Sequence, residues 1–169
     1  DFRVARSLDK AKETVSAMQN GVEVITQAVL RNPENCTYGL ADLMIRLDVL
    51  LQAKELFPNA FDIENQSGID LKDPDVLKMY RIVDIKFSTL DLKKGDLLSS
   101  KQKPYMVQLD IYNRAMGRLQ GYTPKFTYVA GRKWRQGKLR GNSATDKLGV
   151  INVMGDITKG NSLEKLTDE

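Results

Sequence analysis

A strand, a helix and a second strand follow one another between residues 80 and 130, and this succession constrains the fold more than any other feature. Tyr80 to Phe87 is rich in β-branched and aromatic residues, which is typical of a strand. Tyr105 to Leu119 has apolar residues at helical spacing and is followed by Gln120-Gly121, and Phe126 to Ala130 predicts another strand. Strands joined through helices predict an α/β fold with a central β-sheet flanked by helices.

The first half of the chain extends this pattern. A serine cap and interspersed apolar residues predict a helix over Ser7 to Asn20, and β-branched residues predict a strand over Val22 to Leu30. Tyr38 to Leu47 alternates with period two and predicts a second strand. Residues 57–78 are rich in turn-forming types and predict a loop or an insertion, and Val150 to Met154 predicts a last strand.

Two residue counts exclude several classes of enzyme. The chain has 169 residues, no histidine and one cysteine, Cys36. Without histidine there is no Ser-His-Asp triad, no Cys-His pair and no His-ligated zinc. A single cysteine excludes a disulfide within this chain and favours a reducing, intracellular compartment. No apolar run reaches the roughly 18 to 20 residues that a membrane-spanning helix needs, so we expect no membrane partner.

Positive charge is concentrated in one part of the chain. Residues 101–150 contain eleven Lys and Arg residues against two acidic residues, Asp110 and Asp146, whereas the other residues include more acidic than basic side chains. A basic surface of this kind favours an anionic partner, and nucleic acid is the commonest one. The alternative is a solvated surface without a partner.

Asp84 and Lys86 carry the strongest chemical signal. Side chains two residues apart in a strand share a face, so this carboxylate and this ammonium stand side by side while Val83, Ile85 and Phe87 point to the other face. Charges in an apolar strand are costly to bury without partners, and a metal ion would partner Asp84. The alternative is a structural ion pair.

Asp42 lies in the predicted strand Tyr38 to Leu47, also among apolar residues. If the two strands pair, Asp42 and Asp84 can reach one cation together, with the backbone carbonyl of Ile85 as a third ligand. Oxygen donors of this kind favour Mg²⁺ or Mn²⁺. Lys86 would neutralise charge at a phosphodiester bound beside the ion.

These residues resemble the motif series of the PD-(D/E)xK nuclease superfamily, in particular its RecB-like branch. The series is Gly39-x-Ala41-Asp42, then Val83-Asp84-Ile85-Lys86, then Gln108-x-x-x-Tyr112. The resemblance implies a restriction-endonuclease-like core with a central mixed β-sheet, and a nuclease that needs Mg²⁺ or Mn²⁺ and acts on DNA in preference to RNA. It implies that Gln108 and Tyr112, on one helix face, position DNA and the lysine. It also implies a helicase domain or subunit as a partner.

The sequence departs from that motif series on the first helix, where RecB-like enzymes often have a histidine. We expect Glu13 to take this role as a metal ligand or base, although Glu23 competes with it, and an ordinary exposed glutamate is the alternative for both. Asp75 is a rival to Asp42, but it precedes Tyr80 by too few residues to leave room for another strand and turn. The insertion at 57–78 accounts for the long interval between Asp42 and Asp84.

The segment from Gly131 to Arg140 mixes five basic residues with one aromatic and predicts a loop that tracks a phosphate backbone. Arg132, Lys133 and Arg135 would contact phosphates, and Trp134 would stack on a base or sugar. The alternative is a surface loop with a partly buried tryptophan.

Two functions therefore stand at the level of sequence: a metal-dependent nuclease, and an inactive nuclease-like module that binds nucleic acid or a protein. Retention of Asp42, Asp84 and Lys86 favours the enzyme, because polar side chains in apolar strands are costly. We expect one nuclease-like domain over residues 1–169, from a larger protein, with a flexible tail at 161–169.

Overall fold

A computed structural model of the chain describes residues 2–53, 57, 59–141 and 148–152. It confirms the predicted α/β class, with a central mixed sheet flanked by helices. The helices are α1 Phe2–Arg6, α2 Leu8–Gln19, α3 Leu47–Gln52, α4 Ala60–Asn65, α5 Pro74–Leu77 and α6 Lys103–Gln120. The strands are β1 Val24–Asn32, β2 Thr37–Arg46, β3 Tyr80–Asp91, β4 Phe126–Gln136, β5 Leu139–Gly141 and β6 Gly149–Asn152. Two 3₁₀ turns, Lys94–Asp96 and Ser100–Gln102, precede α6.

The sheet has the order β1-β2-β3-β4-β5, and β6 pairs with β4. The pairs β1–β2 and β2–β3 are antiparallel, β3–β4 is parallel, and β5 and β6 are antiparallel to β4. The parallel pair arises because α6 carries the chain from the end of β3 back to the start of β4, as a parallel connection requires. This return places α6 across β1, β2 and β3.

Each face of the sheet has its own apolar core. Met106, Leu109 and Met116 of α6 are buried against one face together with Met44 and Ile82 of the sheet, and α2 packs beside them. The other face buries Leu47 and Leu50 of α3 and Ala60 and Ile63 of α4 against residues of β2, β3, β4 and β6. Apolar residues of the predicted insertion at 57–78 pack against the second core, so the insertion covers that face of the sheet.

The predicted loop from Gly131 is a strand in the structure. Strand β4 continues through residues 131–136 and pairs there with both β3 and β5. Helices α1 and α3 were not predicted from the sequence, because neither is long enough to show a helical period.

The last strand is observed over Gly149–Asn152, whereas Met154 and the predicted tail at 161–169 lie outside the described residues. No helix in the described ranges is long and apolar enough to cross a membrane.

A buried ion pair joins the insertion to the sheet. Glu64 of α4 accepts two hydrogen bonds from Arg81 of β3, each of 2.9 Å, and a third of 2.5 Å from the hydroxyl of Tyr128. Arg81 and Glu64 are almost fully inaccessible to solvent. Loss of either partner leaves the other charge buried and unpaired.

We therefore expect Glu64→Ala to lower the free energy of unfolding by about 3–5 kcal/mol, because the Arg81 guanidinium would remain buried without its carboxylate. Urea unfolding followed by circular dichroism measures this change. Asp62→Ala is the matched control, since Asp62 lies exposed on the same helix. Equal losses in both variants would contradict the assigned role of the Glu64 pair.

Candidate active site

The candidate site lies where β2 and β3 separate. Their paired register runs from Arg46 and Tyr80 to Leu43 and Val83 and ends there. In the next position the carboxylate of Asp42 accepts a hydrogen bond from the backbone N–H of Ile85, with 2.9 Å between Oδ2 and N. The side chain of Asp42 thus replaces a backbone carbonyl of β2 and holds the two strands at the edge of a gap.

The same hydrogen bond orients a second group toward the gap. In an extended strand the N–H and C=O of one residue point to the same side. Because the N–H of Ile85 points toward β2, its carbonyl also faces the gap. The backbone carbonyl proposed from sequence as a ligand therefore lies on the same side of β3 as Asp42.

Asp84 and Lys86 share one face of β3, as the period-two spacing predicted. The Asp84 side chain is only 2% exposed, and its Oδ2 lies 2.7 Å from Nζ of Lys86. Among the described residues this oxygen has no partner with hydrogen-bond alignment, so the contact with Lys86 is an ion pair by distance alone. A buried carboxylate oxygen is thus left with capacity for another positive partner.

Burial raises the pKa of Asp84 to about 6, from 3.8, against the opposing effect of the Lys86 ammonium. The negative charge of the neighbouring Asp42 adds to the increase. Ionisation of Asp84 is thus costly in this site, and a divalent cation beside it would remove that cost.

Lys86 is held by the helix that spans the gap. Its Nζ donates a hydrogen bond to Oε1 of Gln108 at 3.3 Å, and Nε2 of Gln108 donates to the hydroxyl of Tyr112 at 2.8 Å. Nζ also lies 5.1 Å from the ring centroid of Tyr105. The spacing Gln108-x-x-x-Tyr112 therefore places both side chains in one chain of contacts that ends on the lysine.

Gly39 allows Tyr112 to approach β2. A Cβ atom at position 39 would lie 1.9 Å from Cε1 of Tyr112, a distance that no real side chain tolerates. The ring thus rests on the backbone of β2 while Gln108 of the same helix contacts Lys86 of β3. Helix α6 bridges the two strands where their own pairing has ended.

Gln27 belongs to this cluster and was missed at the level of sequence. It lies opposite Asp42 in the β1–β2 register, between the pairs Thr26–Leu43 and Ala28–Ala41, and its Nε2 donates to Oδ1 of Asp42 at 3.3 Å. Its backbone is left-handed, with φ of 52°, which costs a non-glycine residue roughly 1–2 kcal/mol. A Gln in a strand gives no sequence signal for such a conformation.

The structure does not bring Glu13 into this cluster. Its side chain is 62% exposed and forms a 2.6 Å ion pair with Lys10, three residues earlier on α2. Within the part of the chain that is described, no group of three or more Asp, Glu, Cys or His side chains is arranged to hold a metal ion. Asp42 and Asp84 are the acidic side chains that interact here, and strand geometry directs the carbonyl of Ile85 to the same side of β3 as Asp42. Hard oxygen donors of this kind fit Mg²⁺ or Mn²⁺. The buried Oδ2 of Asp84, which accepts no hydrogen bond among the described residues, also fits a metal ligand.

The four predicted nucleic-acid-binding residues have different environments on β4. Arg132 and Lys133 are exposed. Arg135 forms an ion pair with Asp91 of β3, with 2.8 Å between Nη2 and Oδ2, and lowers the pKa of that carboxyl. The indole of Trp134 packs against the core and over Gly141, where a Cβ atom would meet Nε1 at 2.0 Å. The partial burial of Trp134 agrees with the second alternative, but the residue lies on β4 and not on a loop.

A large apolar cavity of the described part of the chain lies away from the candidate site. It has a volume of about 770 Å³ and is lined by residues of α2, β1 and the start of β2, including Leu8, Val15 and Tyr38. Neither Asp42 nor Asp84 contributes to its lining. The chemistry of the converging side chains, rather than cavity size, identifies the candidate site.

Comparisons of this chain with models of protein families, with curated proteins and with solved structures found no match. The functional assignment therefore depends on the residues themselves.

The raised pKa of Asp84 predicts that this residue lowers stability at neutral pH. Above pH 6 the carboxyl is ionised in the folded protein at a cost, whereas below about pH 4 it is protonated in both the folded and the unfolded states. In EDTA, Asp84→Asn should therefore raise the free energy of unfolding at pH 7.5 by about 1–3 kcal/mol, with the gain vanishing near pH 4. Chemical denaturation across this range measures the gain, and exposed Asp75→Asn is the control. A loss of stability in Asp84→Asn at pH 7.5 would refute the assignment of a net cost.

Proposed function

We propose that this protein is a nuclease that hydrolyses phosphodiester bonds with Mg²⁺ or Mn²⁺ as its cofactor. The observation that carries the proposal is the convergence of Asp42, Asp84 and Lys86 where β2 and β3 separate. The two acids are 42 residues apart in sequence and lie on neighbouring strands, where Asp42 contacts the backbone of Ile85 and Asp84 contacts Lys86. A purely structural ion pair needs only one of these acids.

The resemblance to the PD-(D/E)xK superfamily supports the same proposal. Its order of motifs is an aspartate on one strand, D/E-x-K on the next strand and Q-x-x-x-Y on the following helix. Here Asp42 lies on β2, Asp84 and Lys86 on β3, and Gln108 and Tyr112 on α6. Contacts link Asp84 to Lys86, Lys86 to Gln108 and Gln108 to Tyr112, and Asp42 contacts the backbone N–H of Ile85, between Asp84 and Lys86. Glu13 does not join them, so the proposal does not include it.

In this proposal each residue of the site has its own role. Asp42 and Asp84, with the carbonyl of Ile85, would hold the ion, which when bound supplies charge stabilisation to the phosphoryl group and activates water for attack. Lys86 holds a positive charge beside Asp84, where it would stabilise negative charge that develops on the phosphate oxygens. Gln108 and Tyr112 fix the ammonium in place, and Gln27 fixes the carboxylate of Asp42.

Charge distribution supports nucleic acid as the substrate. Exposed Arg132 and Lys133 lie on β4, next to β3, and residues 101–150 carry a large excess of basic side chains. Basic residues near the site would bind the phosphate backbone and release counterions. DNA is the substrate that the resemblance implies, and RNA is the alternative.

The test is cleavage of labelled single- and double-stranded DNA and RNA by this chain with Mn²⁺ or Mg²⁺, with EDTA as the blank. We expect cleavage that EDTA abolishes. Lys86→Ala should lower the cleavage rate by about 100-fold or more while binding changes little, because the lysine acts on charge that develops in the transition state. Lys12→Ala is the control, since Lys12 is an exposed lysine paired with Asp9 on α2.

Three results would contradict this proposal. Cleavage by Lys86→Ala at the wild-type rate would remove the lysine from the mechanism. Cleavage that persists in EDTA would show that the reaction does not need a divalent cation. Binding of nucleic acid with no cleavage under any of these conditions would favour the inactive binding module instead.

A further inference from the structure

Phe87 is an aromatic side chain that the fold leaves almost entirely in water. It is 85% exposed, more than any other large hydrophobic residue that the structure describes, and the next is Leu139 at 63%. It directly follows Lys86 of the candidate site. The sequence pattern had placed Val83, Ile85 and Phe87 on one apolar face, but only Val83 is covered, since Ile85 is also 54% exposed.

The register of β3 with β4 is irregular beside this ring. The register of β3 with β4 passes from Lys86–Gly131 to Thr89–Lys133, so β3 carries one extra residue at positions 87 and 88. Bulges bend a strand and redirect the side chains within them. Here the irregularity begins immediately after Lys86, and the alternation of exposed and more covered residues continues through it, so Phe87 shares the exposed face of β3 with Ile85.

A cation accompanies the ring. The guanidinium carbon of Arg132 lies 4.8 Å from the centroid of Phe87. Because the ring remains 85% exposed, this contact leaves most of its surface accessible. An open aromatic ring with an arginine beside it fits a nucleobase and its phosphate, since aromatic rings stack on bases and arginine binds phosphate.

We propose that Phe87 stacks on an unpaired nucleobase next to the scissile phosphate, which makes single-stranded nucleic acid, or a single-stranded end, the substrate of this site. The proposal rests on the proposed nuclease function. Phe87 lies on the opposite face of β3 from Asp84 and Lys86, and the pairing of β2 with β3 ends at Leu43 and Val83. A strand that crosses the open edge of β3 at the gap, with one phosphate beside Lys86, would bring its neighbouring base to the face that carries the ring. In a duplex each base is stacked between its neighbours, so its face is closed to a protein ring unless the base is extruded.

The charge of the surroundings favours this occupant over an apolar protein surface. Arg132 and Lys133 are exposed on the adjacent strand, and the basic excess of residues 101–150 would oppose the approach of a second copy of the same surface. A single-stranded nucleic acid can pair its phosphates with Arg132 and Lys133 and stack a base on Phe87.

The test measures binding and cleavage of a labelled single-stranded oligonucleotide and of its blunt duplex, with Mn²⁺ present. Phe87→Ala should weaken binding of the single strand by about 5- to 100-fold, since one base–aromatic stack is lost, and should change binding of the duplex little. The dependence of binding on salt should keep its slope, because no charge is removed. Phe87→Trp should restore binding of the single strand. Leu139→Ala, at the other strongly exposed apolar residue, is the control.

The outcomes separate this inference from the nuclease function. If wild-type protein cleaves but Phe87→Ala binds and cleaves both substrates as before, the stacking proposal is overturned and the nuclease stands. Equal weakening on single strand and duplex would also overturn it. If no cleavage occurs but Phe87→Ala selectively weakens single-strand binding, stacking is supported and the nuclease fails. Dissociation of a wild-type dimer by Phe87→Ala, with unchanged nucleic-acid binding, would assign the ring to a protein interface and overturn the proposal.

Discussion

The hydrogen bond from the backbone of Ile85 to the carboxylate of Asp42 is the contact on which the candidate site depends. It forms where the β2–β3 ladder stops, so it takes the place of the next backbone pair and still leaves a gap between the strands. Asp42 is thereby fixed beside Asp84, and the carbonyl of Ile85 faces the same gap. This contact brings together two acids that belong to separate strands.

The surrounding structure supports the gap from both sides. On one face α6 crosses it, with Tyr112 against Gly39 of β2 and Gln108 against Lys86 of β3. On the other face the insertion is anchored by the buried pair of Glu64 and Arg81. The gap itself is electrostatically costly, because burial keeps the pKa of Asp84 high. A fold that bears such a cost at one place is typical of a functional site.

Local patterns predicted part of this arrangement, and contacts distant in sequence determined the rest. The shared face of Asp84 and Lys86, and that of Gln108 and Tyr112, follow from the periods of strand and helix. The left-handed backbone of Gln27 and the uncovered face of Ile85 and Phe87 depend on how distant parts of the chain pack, which periodicity does not report. For Trp134 the sequence left two alternatives open, a ring that stacks on a base and a partly buried ring, both in a loop. In the fold it lies on a strand with its ring against the core.

The most direct test of this account is a crystal structure of the chain grown with Mn²⁺, with the ion located by its anomalous scattering. The account predicts a manganese peak between the carboxylates of Asp42 and Asp84, within coordination distance of the carbonyl oxygen of Ile85. Manganese bound only elsewhere, or carboxylates of Asp42 and Asp84 that point away from each other in the presence of the ion, would contradict it.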